Sequence, residues 1–219
     1  QEKLDRLGEL AGYLAGLAEQ RRVHQEDDLI SALVVAQEEG DRLTAEELVQ
    51  LTVLLLGAGY DSTAAQIANS VYTLLQFPDQ AELLRAQPEL MPGAVEELMR
   101  WIPGQEVADI LPRYALEDVE LSGGTVKAGE AVLLAKHAAN RDPRQYADPD
   151  RFDVTRNAKG HLAFGHGPHH CIGAQLARMD LQVALTAIFD RFPGLRLAED
   201  VKWRSGMAMR GPLSMSVAW

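Results

Sequence analysis

Phe164-Gly165-His166-Gly167-Pro168-His169-His170-Cys171-Ile172-Gly173 decides how the rest of the chain is read. It holds the only cysteine among 219 residues, set in a run of glycines. Gly165 and Gly167 allow positive φ and close approach of a flat partner. Gly173 opens the apolar pattern Ala174, Leu176, Ala177, Leu181, Leu185, which has helical spacing. Cys171 is therefore expected just before a helix N-terminus, where partial positive charge favours thiolate over thiol, the form that binds metal. Two plainer readings compete. A lone cysteine is usually a small buried hydrophobe. His161, His166, His169 and His170 also crowd Cys171 and suggest zinc, but structural zinc usually takes two separated ligand pairs and more cysteines than this chain has.

Upstream, Leu4, Leu7, Leu10, Ala11, Leu14 and Leu17 predict an amphipathic helix, broken at Arg21-Arg22 and Gln25-Glu26-Asp27-Asp28. Asp27 or Asp28 can cap a short helix, Leu29 to Gln37, which Gly40 ends. Thr44-Ala45-Glu46-Glu47 reads as a capping box. It starts a long helix that runs to Phe77-Pro78, about 30 residues or roughly 45–50 Å at 1.5 Å per residue. In its middle lies Gly57-Ala58-Gly59-Tyr60-Asp61-Ser62-Thr63. Each glycine costs about 1 kcal/mol against alanine inside a helix, so the pair calls for a packing or functional reason. A nucleotide loop is the rival reading, with Thr52 to Leu56 as a strand leading into Gly57-x-Gly59-x-x-Ser62. The capping box starts a helix too early for that strand. The acidic residue expected about 20 residues on, at the end of a second strand, is also missing.

Pro78 to Ala86 and Gly93 to Trp101 predict further helices, the second placing Glu97 and Arg100 on one face. From Pro112 the pattern turns to β: Val119 to Leu121, a Gly123-Gly124 turn, Val126, then Ala131 to Leu134. Ala138 through Arg156 is a proline- and aspartate-rich meander leading to the cysteine stretch. Ala174 to Phe192 predicts a helix, and Val201 to Trp219 a strand, a turn at Gly206 or Gly211, and another strand. The expected fold class is mainly α with a minor β region.

Composition bounds the partners. A hydrophobic content of 47% is ample for a core, and a net charge of −11 argues against nucleic acid, whose phosphates require a basic surface. One cysteine excludes an intrachain disulfide framework and suits a reducing cytosol. The longest apolar run, Leu48 to Tyr60, contains Gln50 and Thr52 and stops at Asp61, short of the roughly 20 residues of a membrane span.

Phe-Gly-x-Gly-x-His-x-Cys-x-Gly, followed by Leu176-Ala177-Arg178, closely resembles the haem-binding signature of the cytochrome P-450 family. The resemblance implies that Cys171 is the axial thiolate of haem b, iron protoporphyrin IX, a ligand that pushes electron density onto iron. It implies that His169 reaches one haem propionate and Arg113 another, and that Phe164 shields the sulfur. Ala58, Gly59, Asp61 and Ser62 match the family's small-Gly-x-acid-alcohol motif, which bends the central helix over the haem and forms part of the oxygen-binding groove. The family more often has threonine where Ser62 stands, and Thr63 follows, so which hydroxyl faces the iron stays open. Glu97 and Arg100, joined by Arg151 of Pro149-Asp150-Arg151-Phe152, correspond to a buried structural lock.

That signature normally lies near the end of a substantially longer chain, and Gln1 opens within a helical pattern. Residues 1–219 thus resemble the C-terminal portion of a bacterial-type soluble member, cytoplasmic and without its N-terminal portion. The implied function is a haem-thiolate monooxygenase that hydroxylates or epoxidises a small organic substrate. With no flavin or ferredoxin module in the sequence, electrons are expected from a separate ferredoxin and ferredoxin reductase. Two competitors are a non-catalytic relative that helps a glycosyltransferase, a group that lacks the cysteine, and an inactive fragment. Alone, the chain is expected to expose apolar surface that the missing portion covers.

Overall fold

The structure, a computed structural model, describes residues 2–40, 43–104, 112–204 and 209–219, without the side chains of 2–4 and 38–40. It divides into two units, Gln1–Asp61 and Ser62–Trp219.

The first unit contains α1 (Glu2–Val23), α2 (Leu29–Gly40) and the first half of α3 (Ala45–Gln76). Asp28 is the cap of α2: its Oδ1 accepts the Ser31 N–H at 2.7 Å, and its Oδ2 accepts Arg21 Nε at 2.6 Å. One carboxylate thereby starts a helix and ties it to the end of the previous one. Ala18, Val34 and Leu48, one from each helix, form the small core. The capping box is present at the start of α3. Thr44 N donates to Glu47 Oε2 at 2.8 Å, and Glu47 N to Thr44 Oγ1 at 3.1 Å.

From that start α3 is helical for 32 residues, through Gly57 and Gly59 and on to Gln76. A Cβ on either glycine would meet no described atom within 4 Å, so protein packing does not require them. Phe77 leaves the helical region at φ −123°, ψ 71°, as expected of a residue before proline, and Pro78 opens α4 (Pro78–Ala86).

In the second unit a 3-10 turn (Pro88–Leu90) leads into α5 (Met91–Trp101), which begins two residues earlier than its sequence pattern suggests. α5 buries Ala94, Val95 and Leu98 against Leu181, Leu185 and Phe189 of α7 (Ala174–Arg191). Val71 and Leu74 of α3, Leu84 of α4, and Phe152 and Val154 of the meander complete this core.

The described residues form four antiparallel strand pairs. β1 (Arg113–Tyr114) pairs with β4 (Ala131–Val132), which ends two residues before the apolar run does. β2 (Val119–Leu121) pairs with β3 (Gly124–Val126), with Leu121 opposite Gly124. The hairpin turn is thus Ser122-Gly123, one residue earlier than the glycine pair suggested, and Gly124 opens the returning strand at φ +142°. α6 (Lys136–Ala139) is a single turn. β5 (Arg196–Leu197) pairs with β8 (Val217–Ala218), and β6 (Lys202–Trp203) with β7 (Pro212–Ser214). Of the two turn candidates, Gly206 lies outside the described residues. Gly211 is closely packed, since a Cβ there would lie 3.1 Å from Ala65 Cβ on α3 and the neighbour would have to give way.

Leu54, Leu56 and Tyr60 on α3 are exposed, as are Leu176, Met179 and Val183 along α7. The last three recur at helical spacing and form one apolar side of α7. No helix of the described residues is long and apolar enough to cross a membrane.

Candidate haem-thiolate site

The loop before α7 is closed by its own backbone. Cys171 N–H donates to Phe164 O at 2.9 Å, Gly165 N–H to Leu162 O at 3.0 Å, and His170 N–H to Gly167 O at 2.9 Å. Gly165 and Gly167 take φ +73° and +74°, the left-handed region that glycine enters without penalty. The path between them is a 3-10 turn, Gly167–His169. Gly173 is the N-cap residue of α7, and Ala177 N–H donates to its carbonyl at 2.9 Å. Cys171 therefore sits two residues before the cap, at the positive end of an 18-residue helix dipole. It is exposed, which removes the reading of a buried small hydrophobe. His169 is exposed beside it, whereas Phe164 is turned inward and buried.

The zinc reading loses a ligand. His161 is buried away from Cys171: its Nδ1 accepts the Ala163 N–H at 3.1 Å, and its Nε2 faces Glu96 Oε2 at 3.1 Å. Among the described residues no group of three or more His, Cys, Asp or Glu side chains could hold a metal ion. A single soft sulfur, on a glycine-opened loop beside the exposed Ile172, fits a flat iron macrocycle that brings its own four nitrogen donors.

Asp61, Ser62 and Thr63 are half-buried and lie in succession on α3, one turn beyond the exposed Ala58 and Gly59. Neighbours on a helix point about 100° apart, so Ser62 and Thr63 present their hydroxyls in different directions. Arg113 is half-buried in β1, opposite Val132.

The lock around Glu97 and Arg100 has one member different from the sequence expectation. Both side chains are fully buried, at 0% accessibility. Arginine carries five N–H donors, and all five of Arg100 are used. Nε donates to Glu97 Oε2 at 2.7 Å and Nη2 to Glu97 Oε1 at 2.8 Å. Nη1 donates to the carbonyls of Asn140 and Pro149, both at 2.9 Å, and Nη2 also reaches Arg151 O at 3.5 Å. The second arginine on Glu97 is Arg156, whose Nε lies 3.1 Å from Oε1. Arg151 was the wrong residue. Its side chain is 67% exposed, 3.8 Å from Asp153, and only its carbonyl joins the lock. The chain turns between the two positions, so the carbonyl of 151 accepts from Arg100 and Arg156 while the guanidinium of 156 reaches the Glu97 carboxylate.

A neighbouring cluster was not anticipated. Glu96 Oε1 accepts Arg178 Nε at 2.5 Å, Oε2 accepts Arg178 Nη2 at 3.1 Å, and Oε2 also meets His161. Burial on its own would raise the Glu96 carboxyl; the hydrogen bonds from His161 and Arg178, with the Arg178 charge, outweigh it and hold Glu96 at about 2. Two adjacent glutamates at positions 96 and 97 were the available signal. One turn of helix cannot aim both at Arg100, so the second needs a partner elsewhere.

The chain matches the family model of cytochrome P-450 over residues 13–203. It is 50% identical over 210 residues to mycinamicin IV hydroxylase/epoxidase of Micromonospora griseorubida, a match that covers 94% of this chain and 53% of that protein. It is 53% identical over 214 residues to nocardicin C N-oxygenase of Nocardia uniformis subsp. tsuyamanensis, covering 96% and 53%. The crystal structure of the LnmA cytochrome P-450 hydroxylase from the leinamycin biosynthetic pathway of Streptomyces atroolivaceus S-140 superposes with a TM-score of 0.94 at 52% identity, over 100% of this chain and 57% of that one. The chain belongs to the cytochrome P-450 family. It spans about half the length of the curated relatives it matches.

The lock is expected to discriminate between its two arginine candidates. Arg156→Ala should destabilise on the order of 3 kcal/mol, because it strips a partner from a buried carboxylate, while Arg151→Ala should stay within about 0.5 kcal/mol of wild type. Urea unfolding midpoints of the two variants check the order. The Glu96 cluster predicts a pH dependence with a definite sign. A carboxyl held below its ordinary 4.5 contributes stability that is present above that value and is lost as pH falls through about 2. The difference in urea midpoint between wild type and Glu96→Gln should be largest above about pH 5 and vanish towards about pH 2.

Proposed function

We propose that a polypeptide containing this chain is a cytoplasmic haem-thiolate monooxygenase that hydroxylates or epoxidises a small organic substrate. The observation that carries this reading is the exposed Cys171 thiol, held two residues before the cap of α7 by a loop with two left-handed glycines. When bound, haem b supplies the activation of molecular oxygen by two electrons, with one oxygen atom entering a C–H bond or double bond and the other leaving as water.

The chain's own groups have distinct parts. Cys171, at the positive end of α7, would supply the sulfur ligand to the iron. Gly165 and Gly167 keep side chains out of the plane of approach. Phe164 would screen the sulfur from water, and His169 and Arg113 would each hold a propionate carboxylate by charge-assisted hydrogen bonds when haem is bound. On α3, Ala58 and Gly59 leave room beside the helix. Asp61 and a neighbouring hydroxyl, that of Ser62 or Thr63, would form the path by which protons arrive. Glu97, Arg100 and Arg156 take no part in bond-making. They keep the meander in place beneath the loop.

Several relatives are named for oxidation of natural products, such as mycinamicin IV and nocardicin C. An organic substrate of that kind is the reading we adopt, with a ferredoxin and its reductase as electron donors. The apolar sides of α3 and α7 are the surfaces that the remainder of the polypeptide covers.

Ferrous iron with carbon monoxide in the haem-loaded protein should show the red-shifted absorption of thiolate ligation, and Cys171→Ser should abolish it. An unchanged spectrum in that variant would falsify the ligand assignment. Proton delivery is checked by paired alanine variants. Ser62→Ala should release peroxide at the expense of product while haem and substrate still bind; if Thr63→Ala does this instead, the role belongs to Thr63.

A further inference from the structure

Behind the cysteine loop stands a second set of side chains, drawn from three separate elements. Glu96 comes from α5, His161 from the turn that enters the loop, and Arg178 from the second turn of α7. Glu96 takes Arg178 by two bonds, Oε1 to Nε at 2.5 Å and Oε2 to Nη2 at 3.1 Å. This fork-on-fork geometry fixes the plane of the guanidinium as well as its position. The central carbon of the guanidinium lies over the Phe164 ring, 4.5 Å from its centroid. His161 closes the set. Its Nδ1 accepts a backbone N–H, so Nε2 carries the hydrogen and donates to Glu96. Its ring also lies 5.7 Å from that of Phe164.

Phe164 is the residue whose carbonyl receives the Cys171 N–H. Its ring is gripped by Arg178 and His161, both of them held by Glu96, and its main chain holds the ligand residue. We infer that Glu96, Arg178 and His161 are positioning residues for the iron ligand, acting through Phe164 to set where the Cys171 sulfur stands. The inference rests on the reading of Cys171 as that ligand. An ordinary surface ion pair would not do this, because two long side chains in water hold no fixed geometry. Here the side-chain accessibilities of Glu96, Arg178 and His161 are 18%, 23% and 2%. The depressed carboxyl of Glu96 agrees with a charge that stays ionised throughout the working range.

Lysine at 178 would keep the positive charge but lose both the fork and the flat face. Arg178→Lys therefore separates positioning from simple charge neutralisation. Glu96→Gln tests the anchor itself, and Leu84→Ala, a core truncation on α4, serves as a control that costs stability away from the loop. Two readouts apply. In the haem-loaded protein containing this chain, the share of the ferrous carbon monoxide complex that lacks thiolate ligation should rise about tenfold in Glu96→Gln, the factor carried by a lost charge-assisted hydrogen bond. Arg178→Lys should fall between it and wild type, and Leu84→Ala should match wild type. In the haem-free protein, the alkylation rate of Cys171 by iodoacetamide, followed on its peptide by mass spectrometry, should shift in Glu96→Gln and Arg178→Lys and stay put in Leu84→Ala. The alkylation readout still decides the matter if Glu96→Gln fails to load haem. A wild-type protein without thiolate ligation overturns the ligand reading and this inference together. A wild-type thiolate spectrum that persists in both variants, with unchanged alkylation, overturns this inference alone. Equal effects from Leu84→Ala also overturn it, since they would mark a general loss of stability.

Discussion

A carboxylate and a guanidinium with no access to water form the constraint on which the second unit depends. Burying such a pair is costly, and it survives only where the remaining donors and acceptors are satisfied. Arg100 meets that condition by reaching three backbone carbonyls, at Asn140, Pro149 and Arg151, besides Glu97. Glu97 meets it by accepting Arg156 and the Asp153 N–H. The meander from 140 to 156 has little regular structure of its own. Its path is set by the demand that these polar groups find each other, with the aromatic contacts of Phe77, Trp101 and Phe152 packed at its edge.

That meander delivers the chain to the cysteine loop. Asn140 links the two: its carbonyl accepts from Arg100, and its side-chain oxygen accepts the Leu162 N–H at 2.7 Å. From Leu162 the backbone passes through the buried Phe164 to the exposed thiol. Two adjacent glutamates on α5 thus serve different ends. Glu97 organises the approach, and Glu96 braces the loop from behind. A helix places such neighbours about 100° apart, so one short element can hold two independent polar networks.

The long helix α3 rests on a different balance. Its two central glycines weaken it, and no described protein contact asks for them. The capping box at one end and the buried Leu74 and Val71 near the other hold it despite the glycines.

Local patterns in the sequence were enough to place the long helices to within a few residues, the capping box of α3, the left-handed glycines at 165 and 167, and Cys171 before α7, but not the single turn α6 or the first two residues of α5. Each depends on residues within one or two turns of one another, where spacing alone states the geometry. The family signature around Cys171 added the candidate site. The choice between Arg151 and Arg156 was not legible, nor was the union of Glu96 with His161 and Arg178, nor the pairing of β5 with β8. These contacts join residues 59 positions apart for Arg156 and Glu97, and 82 for Arg178 and Glu96. Only the packed structure decides which distant donor reaches a buried acceptor, because the desolvation that enforces the match exists only once the core has formed.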